Sequence, residues 1–172
     1  MPLPDASSFL QRVFDALLTD GVDVADLVLD HICYRVATPD RYIVWKDLLS
    51  KNGELLGEHV IGGRPIATFK LHAPIDHQDR RIAVVELPAP KGGSPYPEGW
   101  EHVEFVVDEG PRVFAARHPS LRWDLSSADK TINPDARLSY DGFSVKFHER
   151  SLEEVIAQER QGPTPQPPRH KA

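Results

Sequence analysis

Two stretches of the sequence place an acidic residue and a histidine directly in front of an alternating apolar run. They are "LDHICYRVA", residues 29–37, and "GWEHVEFVV", residues 99–107. β-branched and aromatic residues that alternate between apolar and polar positions are typical of strands. Because the chain begins two strands with the same chemistry, we predict a sheet that is built from a repeated unit.

The segment after the first stretch has the pattern of one helix and three further strands. "TPD", which can cap a helix, precedes the helical "RYIVWKDLLSKNG", and three strand-like runs follow it. The pair Gly62-Gly63 separates the first two of these runs and favours a hairpin turn. The order over residues 29–90 is therefore strand, helix, strand, strand, strand.

The same order begins again after a Pro- and Gly-rich connector, "PKGGSPYPEG", at residues 90–99. A strand, a short helix and three strand candidates follow over residues 99–149, the candidates being "LRWDLSS", "ARLSY" and "FSVKFH". The predicted fold class is α+β, with two tandem βαβββ modules that form one curved, eight-stranded, barrel-like sheet. The modules span about residues 29–90 and 99–149.

Both ends of the chain add a helix to this arrangement. The N-terminal stretch "DASSFLQRVFDALLT" has apolar residues at helical spacing, and "SLEEVIAQER" predicts a C-terminal helix with Ser151 as its N-cap. Residues 1–161 are predicted to form a single domain with these extra helices packed outside the sheet. The polar, Pro-rich residues 162–172 predict a disordered tail.

Composition excludes several classes of protein. Of 172 residues, a single one is cysteine, Cys33, so an intramolecular disulfide is excluded and a cytoplasmic location is expected. The net charge is −6 and no basic block stands out, which argues against nucleic acid as a partner. No apolar run approaches the length that a membrane helix needs. We expect a cytoplasmic monomer or homodimer with a small-molecule partner.

The chain resembles a known family in five stretches, which are "DHICYRV", "GRPIATFKLHAPI", "VVELPAP", "YPEGWEHVEF" and "DGFSVKFHERSLEEVIAQE". These stretches resemble the YecM family of small bacterial proteins. The tandem βαβββ pattern, with a histidine on the first strand of each module, resembles the vicinal oxygen chelate (glyoxalase/dioxygenase) superfamily. The resemblance covers roughly residues 5–160.

This resemblance implies a metal site, because superfamily members draw one ligand from the first and the last strand of each module. At the matching positions the first strands have His31 and His102, and the last strand of the first module has Glu86. The last strand of the second module departs from the pattern, since Lys146 stands where a glutamate is common and an ammonium cannot ligate a cation. His148, two residues further and on the same face, is the predicted substitute.

Two histidines and a carboxylate suit a divalent cation with an open coordination position. Zinc, iron(II), nickel and manganese all fit this donor set, so the cofactor is predicted as a divalent metal of unspecified identity.

The alternation of the strands predicts which other side chains line the same polar face. Arg35 shares the face of His31 and is predicted to bind a substrate carboxylate, a role in which Lys70 could assist it. Lys146 and Glu104 are the predicted general acid or base, provided that the surroundings lower the pKa of the lysine.

The function that the resemblance implies for these residues is that of a metal-dependent isomerase, lyase or oxygenase that acts on a small oxygenated metabolite. The vicinal oxygens of such a substrate would chelate the metal, which would stabilise an enolate- or oxyanion-like intermediate. Two alternatives remain open. In one, Lys146 forms an ion pair with Glu86 and the chain is a non-catalytic module that binds a small ligand without metal. In the other, the chain is a dimeric scaffold whose polar face holds neither metal nor ligand.

Overall fold

A computed structural model describes residues 2–93 and 96–161 of the chain. In chain order, its helices and strands are α1 (Ser7–Thr19), β1 (Leu29–Arg35), α2 (Pro39–Asn52), β2 (Gly53–Ile61), β3 (Arg64–His77), β4 (Arg80–Pro88), β5 (Gly99–Val106), α3 (Pro111–Ala116), β6 (Asp135–Tyr140), β7 (Phe143–His148) and α4 (Leu152–Gln161). Both predicted terminal helices are present as α1 and α4. The predicted disordered tail, residues 162–172, lies outside the described residues.

All seven strands of the described chain belong to one mixed sheet with the order β2-β3-β4-β1-β5-β7-β6. In the first half of the sheet β1 pairs in parallel with β4, and in the second half β5 pairs in parallel with β7. The two halves meet where β1 and β5 pair antiparallel in the middle of the sheet. This junction brings the two acidic-histidine stretches side by side.

The prediction of eight strands in a barrel-like sheet was wrong, because the described residues form seven strands in a sheet that does not close. The predicted strand "LRWDLSS" contributes only an isolated bridge between Asp124 and Arg137. The Asp124 carboxylate accepts a hydrogen bond from the Ser126 backbone N–H at 3.0 Å, and such a local turn competes with the ladder of a sheet.

The two faces of the sheet have different chemistry. One face packs under α1 and α2 and forms the main apolar core, in which Leu10, Val13, Leu49, Phe69 and Phe105 are fully buried. The other face carries polar side chains along its middle strands. Helix α4 covers one end of this polar face through a small apolar cluster that consists of Leu56, Val84, Leu152 and Ile156.

Helix α4 begins with reciprocal hydrogen bonds at its N-terminus. The Ser151 hydroxyl accepts from the Glu154 backbone N–H, and the Glu154 carboxylate accepts from the Ser151 N–H, each at 3.2 Å. This capping box agrees with the predicted N-cap. No helix in the described ranges is long and apolar enough to cross a membrane.

Candidate metal centre

The register of the four central strands gathers the polar side chains into two neighbouring rows. Across β1, β5 and β7 one row consists of His31, Glu104 and Lys146, and across β4, β1 and β5 the other consists of Glu86, Cys33 and His102. The residues of both rows point to the face opposite the main core. Residues from four strands, distant in sequence, therefore meet at one place.

A β-bulge turns each acidic partner toward its histidine. The pairing of β1 with β5 shifts once between Leu29 and His31, which leaves Asp30 as the extra residue, and again beside Cys33, which leaves Glu101 as the extra residue. Adjacent residues of a regular strand point to opposite faces, whereas a bulge redirects a side chain. The bulges explain how both acidic residues contact their sequence neighbours.

These contacts hold the Nδ1 atom of each histidine. The His31 Nδ1 atom lies 2.8 Å from Asp30 Oδ2, and the His102 Nδ1 atom lies 2.5 Å from Glu101 Oε2. A carboxylate accepts a hydrogen bond from Nδ1–H, so the neutral imidazole exposes its lone pair on Nε2. Metal-ligating histidines are commonly oriented in this way by a second carboxylate.

The two Nε2 atoms meet the carboxylates of Glu86 and Glu104. Glu104 Oε1 lies 3.4 Å from His31 Nε2 and 3.2 Å from His102 Nε2, and Glu86 Oε2 lies 3.3 Å from His102 Nε2. Ligands about 2.0 to 2.2 Å from one ion are separated by about 3.0 to 3.5 Å when they are neighbours around it. The four side chains therefore fit a single divalent cation, since one donor atom from each lies within 4.8 Å of all the others.

The charges of the metal-free cluster balance through protonated histidines. Burial by itself lowers the pKa of His31, but the charge of Glu104 and the hydrogen bond to Asp30 raise it to about 9. Burial lowers the pKa of His102 as well, yet Cys33 and the bonded Glu101 raise it well above its usual value. If one divalent cation replaced two imidazolium protons, the total charge of the cluster would not change.

The carboxylates show the complementary effect. Burial raises the pKa of Glu86, but its hydrogen bond to the His102 imidazolium lowers it to about 2. For Glu104, the charges of Lys146 and His31 outweigh burial and hold the pKa well below its usual value. Both carboxylates are therefore ionised at neutral pH, as metal ligands must be.

Lys146 forms its ion pair with Glu104, not with Glu86 as one sequence-based alternative required. Its Nζ atom lies 2.5 Å from Glu104 Oε1 and 3.4 Å from His102 Nε2. The partner differs because Glu104 is the register neighbour of Lys146, whereas Glu86 lies on β4, on the far side of β1 and β5. Burial lowers the pKa of Lys146, but Glu104 and Glu86 raise it above its usual value, which is the opposite of what a general base requires.

His148 lies behind His31, with the two ring centroids 5.9 Å apart. Its Nε2 atom is 3.6 Å from Asp30 Oδ2 and 3.8 Å from Glu104 Oε2. Its Nδ1 atom contacts the Asn133 side chain, whereas the Nδ1 atoms of the other two histidines each contact a carboxylate. Burial lowers the pKa of His148, so this imidazole is neutral at neutral pH. Its predicted role as a metal ligand stays a prediction.

The two predicted substrate-binding residues lie in different places. Arg35 is at the rim of the cluster, with its Nη1 atom 4.0 Å from Glu101 Oε1 and its guanidinium over the ring of Tyr96. Lys70 is on β3, two strands away from β1, and pairs at the surface with Glu153 at 2.6 Å. Arg35 is therefore the better placed of the two to meet a ligand of the cluster.

Cys33 lies between the rows and is fully buried. Burial raises the pKa of its thiol to about 11, so it is protonated at neutral pH. Cys33 is therefore a small buried residue and not a nucleophile.

Sequence reasoning assigned no role to Asp30, Glu101 or Asn133. The first two carry a signal, because both precede a histidine at the start of a strand, but only the bulges make the contact possible. Asn133 is 15 residues from the histidine that it contacts, and no local pattern connects the two.

Comparison with known proteins matches residues 3–159 to the model of one family, described as YecM protein. Over 181 aligned positions the chain is 35% identical to Protein YecM of Escherichia coli (strain K12), which covers 92% of this chain and 94% of that protein. It is 34% identical over 109 positions to an uncharacterized protein of Haemophilus influenzae, covering 63% of this chain and 56% of that one. A solved structure described as "Structural Genomics, Protein EC4020" superimposes with a TM-score of 0.74 at 31% identity over 86% of each chain.

Proposed function

The chain belongs to the YecM family, and from that premise we propose that it binds one divalent metal ion through His31, His102, Glu86 and Glu104. The observation that carries the proposal is the spacing of the donor atoms, 3.2 to 3.4 Å between neighbouring nitrogens and oxygens. The donor set of two imidazoles and two carboxylates suits zinc, iron(II), nickel and manganese alike.

The proposed ligand set differs from the predicted one in its fourth member. Sequence reasoning proposed His148 as the fourth ligand and Glu104 as a general base. In the structure Glu104 Oε1 lies between both Nε2 atoms, whereas His148 Nε2 is 3.8 Å from the other oxygen of Glu104. Because Glu104 already lies next to both ligand nitrogens, it is better placed than His148 to be the fourth donor.

We propose that the site acts on a small oxygenated metabolite as an isomerase, lyase or oxygenase. When bound, a divalent cation supplies Lewis-acid polarisation of substrate oxygens. The chain's own contribution comes from two cations at the partly exposed side of the cluster. The Lys146 ammonium can donate hydrogen bonds to an anionic substrate oxygen, and the guanidinium of Arg35 can bind a carboxylate.

The two halves of the sheet support a further part of the proposal, that they are the two predicted modules. In each half the first strand pairs in parallel with the last, and a helix follows the first strand. The bridge at Asp124 then stands where the second module has lost a strand.

A second candidate function is a metal-free module that binds a small ligand. The observation in its favour is Lys146, because its ammonium already neutralises Glu104 at 2.5 Å. A metal would have to compete with this cation for the same carboxylate. The two candidates predict different results when the lysine is replaced by an uncharged residue. The metal site should then bind zinc(II) more tightly, whereas the metal-free module should still bind none.

Metal content and zinc(II) affinity of purified, tag-free protein test the proposal. We expect one equivalent of zinc(II) in the wild type and none above background in His102→Ala or Glu86→Ala. Lys146→Met should bind zinc(II) about 10-fold more tightly, because the competing ammonium is gone.

Two controls match these variants at the surface. His59→Ala removes a histidine that faces Glu159 at 3.4 Å, and Lys130→Met removes a lysine that faces Asp135 at 3.5 Å. Both should leave zinc(II) binding unchanged. Absence of binding in the wild type and in Lys146→Met, for zinc(II), iron(II), nickel(II) and manganese(II), would contradict the proposal and favour the metal-free module.

A further inference from the structure

The three histidines of the cluster differ in the group that holds Nδ1. Asp30 and Glu101 hold His31 and His102 with carboxylates, but the Asn133 Nδ2 atom lies 2.8 Å from His148 Nδ1. A carboxylate can only accept a hydrogen bond, whereas the amide nitrogen can only donate one. The partner of Nδ1 therefore determines which ring nitrogen carries the proton.

The orientation of the Asn133 amide follows from its other contact. The Asn133 Oδ1 atom accepts a hydrogen bond from the backbone N–H of Arg150 at 3.2 Å. Because this N–H is a donor, the oxygen must face it, and the NH₂ group must face His148. The backbone supports this arrangement, since Asn133 has a φ of 43°, a left-handed conformation that asparagine tolerates better than most residues.

We infer that Asn133 is a positioning residue that fixes His148 as the tautomer with the proton on Nε2, so that His148 donates to the carboxylates and stays outside the ligand set. The inference rests on the proposed metal-binding function for its consequence, but the tautomer itself is a property of the metal-free protein.

The surroundings of Nε2 agree with a proton on this atom. Two carboxylate oxygens lie near this atom, Asp30 Oδ2 at 3.6 Å and Glu104 Oε2 at 3.8 Å. Within the described part of the chain, Nε2 is buried and has no partner at hydrogen-bond distance. An Nε2–H group is attracted by both carboxylates, whereas a lone pair at the same place would be repelled by them. His148 thereby links the carboxylate that orients His31 with the carboxylate that both ligand histidines contact.

This arrangement assigns Asn133 a part in selecting the ligands. With a carboxylate at position 133, the proton would move to Nδ1 and Nε2 would present a lone pair, as in His31 and His102. The third histidine would then be competent to bind metal. The amide of Asn133 keeps His148 out of the ligand set, which therefore contains two imidazoles.

Long-range proton–nitrogen correlation spectra of the metal-free protein test the tautomer directly. In the wild type we expect the nitrogen-15 shift of His148 Nδ1 in the range of an unprotonated nitrogen and that of Nε2 in the protonated range. In Asn133→Asp, which keeps the size and the left-handed backbone preference, we expect Nδ1 to become protonated. A wild-type spectrum with Nδ1 protonated, or no change of Nδ1 in Asn133→Asp, would overturn the inference.

Asn133→Gly is the matched control, because glycine accepts the same φ but has no side chain. We expect it to lose the tautomer preference of His148, which separates the effect of the amide from that of the backbone. If the Nδ1 and Nε2 shifts stay as in the wild type, the amide does not set the tautomer and the inference fails.

Titration with zinc(II) separates this inference from the proposed function. We expect the His31 and His102 signals to shift and His148 Nε2 to keep its proton. If zinc(II) binds and His148 Nε2 loses its proton, His148 is a ligand and the inference is wrong while metal binding stands. If zinc(II) moves none of the signals, the proposed function fails, and the metal-free spectra still decide the role of Asn133.

Discussion

The two acidic-histidine pairs have the same chemistry but different surroundings. Asp30 and His31 are enclosed, with 6% and 2% of their side-chain surfaces exposed, and Asp30 Oδ2 also accepts from the Leu152 N–H at the start of α4 at 2.8 Å. Glu101 has 23% of its side chain exposed and lies next to Arg35 at the rim. The cluster therefore has an inner pair, Asp30-His31, and an outer pair, Glu101-His102.

The difference in exposure indicates that the two pairs have different roles. The inner pair is tied to α4 and to the sheet, so it contributes to stability as well as to the proposed ligand set. The outer pair lies beside the two partly exposed cations, Lys146 and Arg35. One side of the centre is thus built into the fold, and the other side lies nearer to solvent.

The largest expected effect comes from removing the inner histidine. His31→Ala leaves the buried Asp30 and Glu104 carboxylates without this partner, so we expect the free energy of unfolding to fall by about 3 to 5 kcal/mol and metal binding to be lost. His102→Ala should lose metal equally but destabilise less, because Glu86 and Glu101 are nearer to solvent. Urea denaturation of the metal-free variants measures the difference. A larger loss in His102→Ala would break the distinction between inner and outer pair.

The pH dependence sharpens the comparison, because both histidines must lose a proton to bind metal. The pKa of His31 is raised from 6.5 to about 9 and that of His102 is also raised, so below about pH 8 each zinc(II) should release about two protons. The affinity should then fall about 100-fold for each pH unit between pH 8 and 6, as isothermal titration in buffers of different ionisation enthalpy would show. If each zinc(II) released a single proton, one of the two histidines would not be a ligand of the metal.

Zinc(II) affinity should rise with pH, whereas the stability of the metal-free protein should fall as the pH rises. A folded-state pKa that is raised to about 9 means that His31 stabilises the fold fully below pH 6.5 and that this contribution is lost as the pH rises through 9. Zinc(II) should therefore raise the melting temperature more at pH 9 than at pH 6.

The smallest expected effect comes from the carboxylates that orient the ligands. Asp30→Asn and Glu101→Gln keep the shape of each side chain but weaken the acceptor for Nδ1–H, and such changes typically cost about 10- to 100-fold in metal affinity. We expect Asp30→Asn near the upper limit, since Asp30 is enclosed and also accepts from α4, and Glu101→Gln near the lower one. Competition titration with a zinc(II) chelator measures both. Equal losses would show that enclosure does not matter to the orientation of the ligand.

The sequence by itself determined the elements and much of the candidate site. Local patterns of apolar residues, glycines and prolines act within a few residues, so the seven strands of the sheet, the four helices and the matched acidic-histidine starts were predictable, whereas the eighth predicted strand, "LRWDLSS", forms only an isolated bridge. The resemblance to the YecM family pointed to His31, Glu86 and His102, and the structure brings them together.

Only the tertiary structure decided how those residues meet. The bulges at Asp30 and Glu101 arise from the pairing of β1 with β5, and no alternation within a single strand encodes them. The same holds for Lys146, whose partner depends on strand order, and for Asn133, which precedes β6 and contacts His148 at the end of the paired strand β7. Side-chain contacts between distant segments depend on register, and register is set by the packing of the whole sheet.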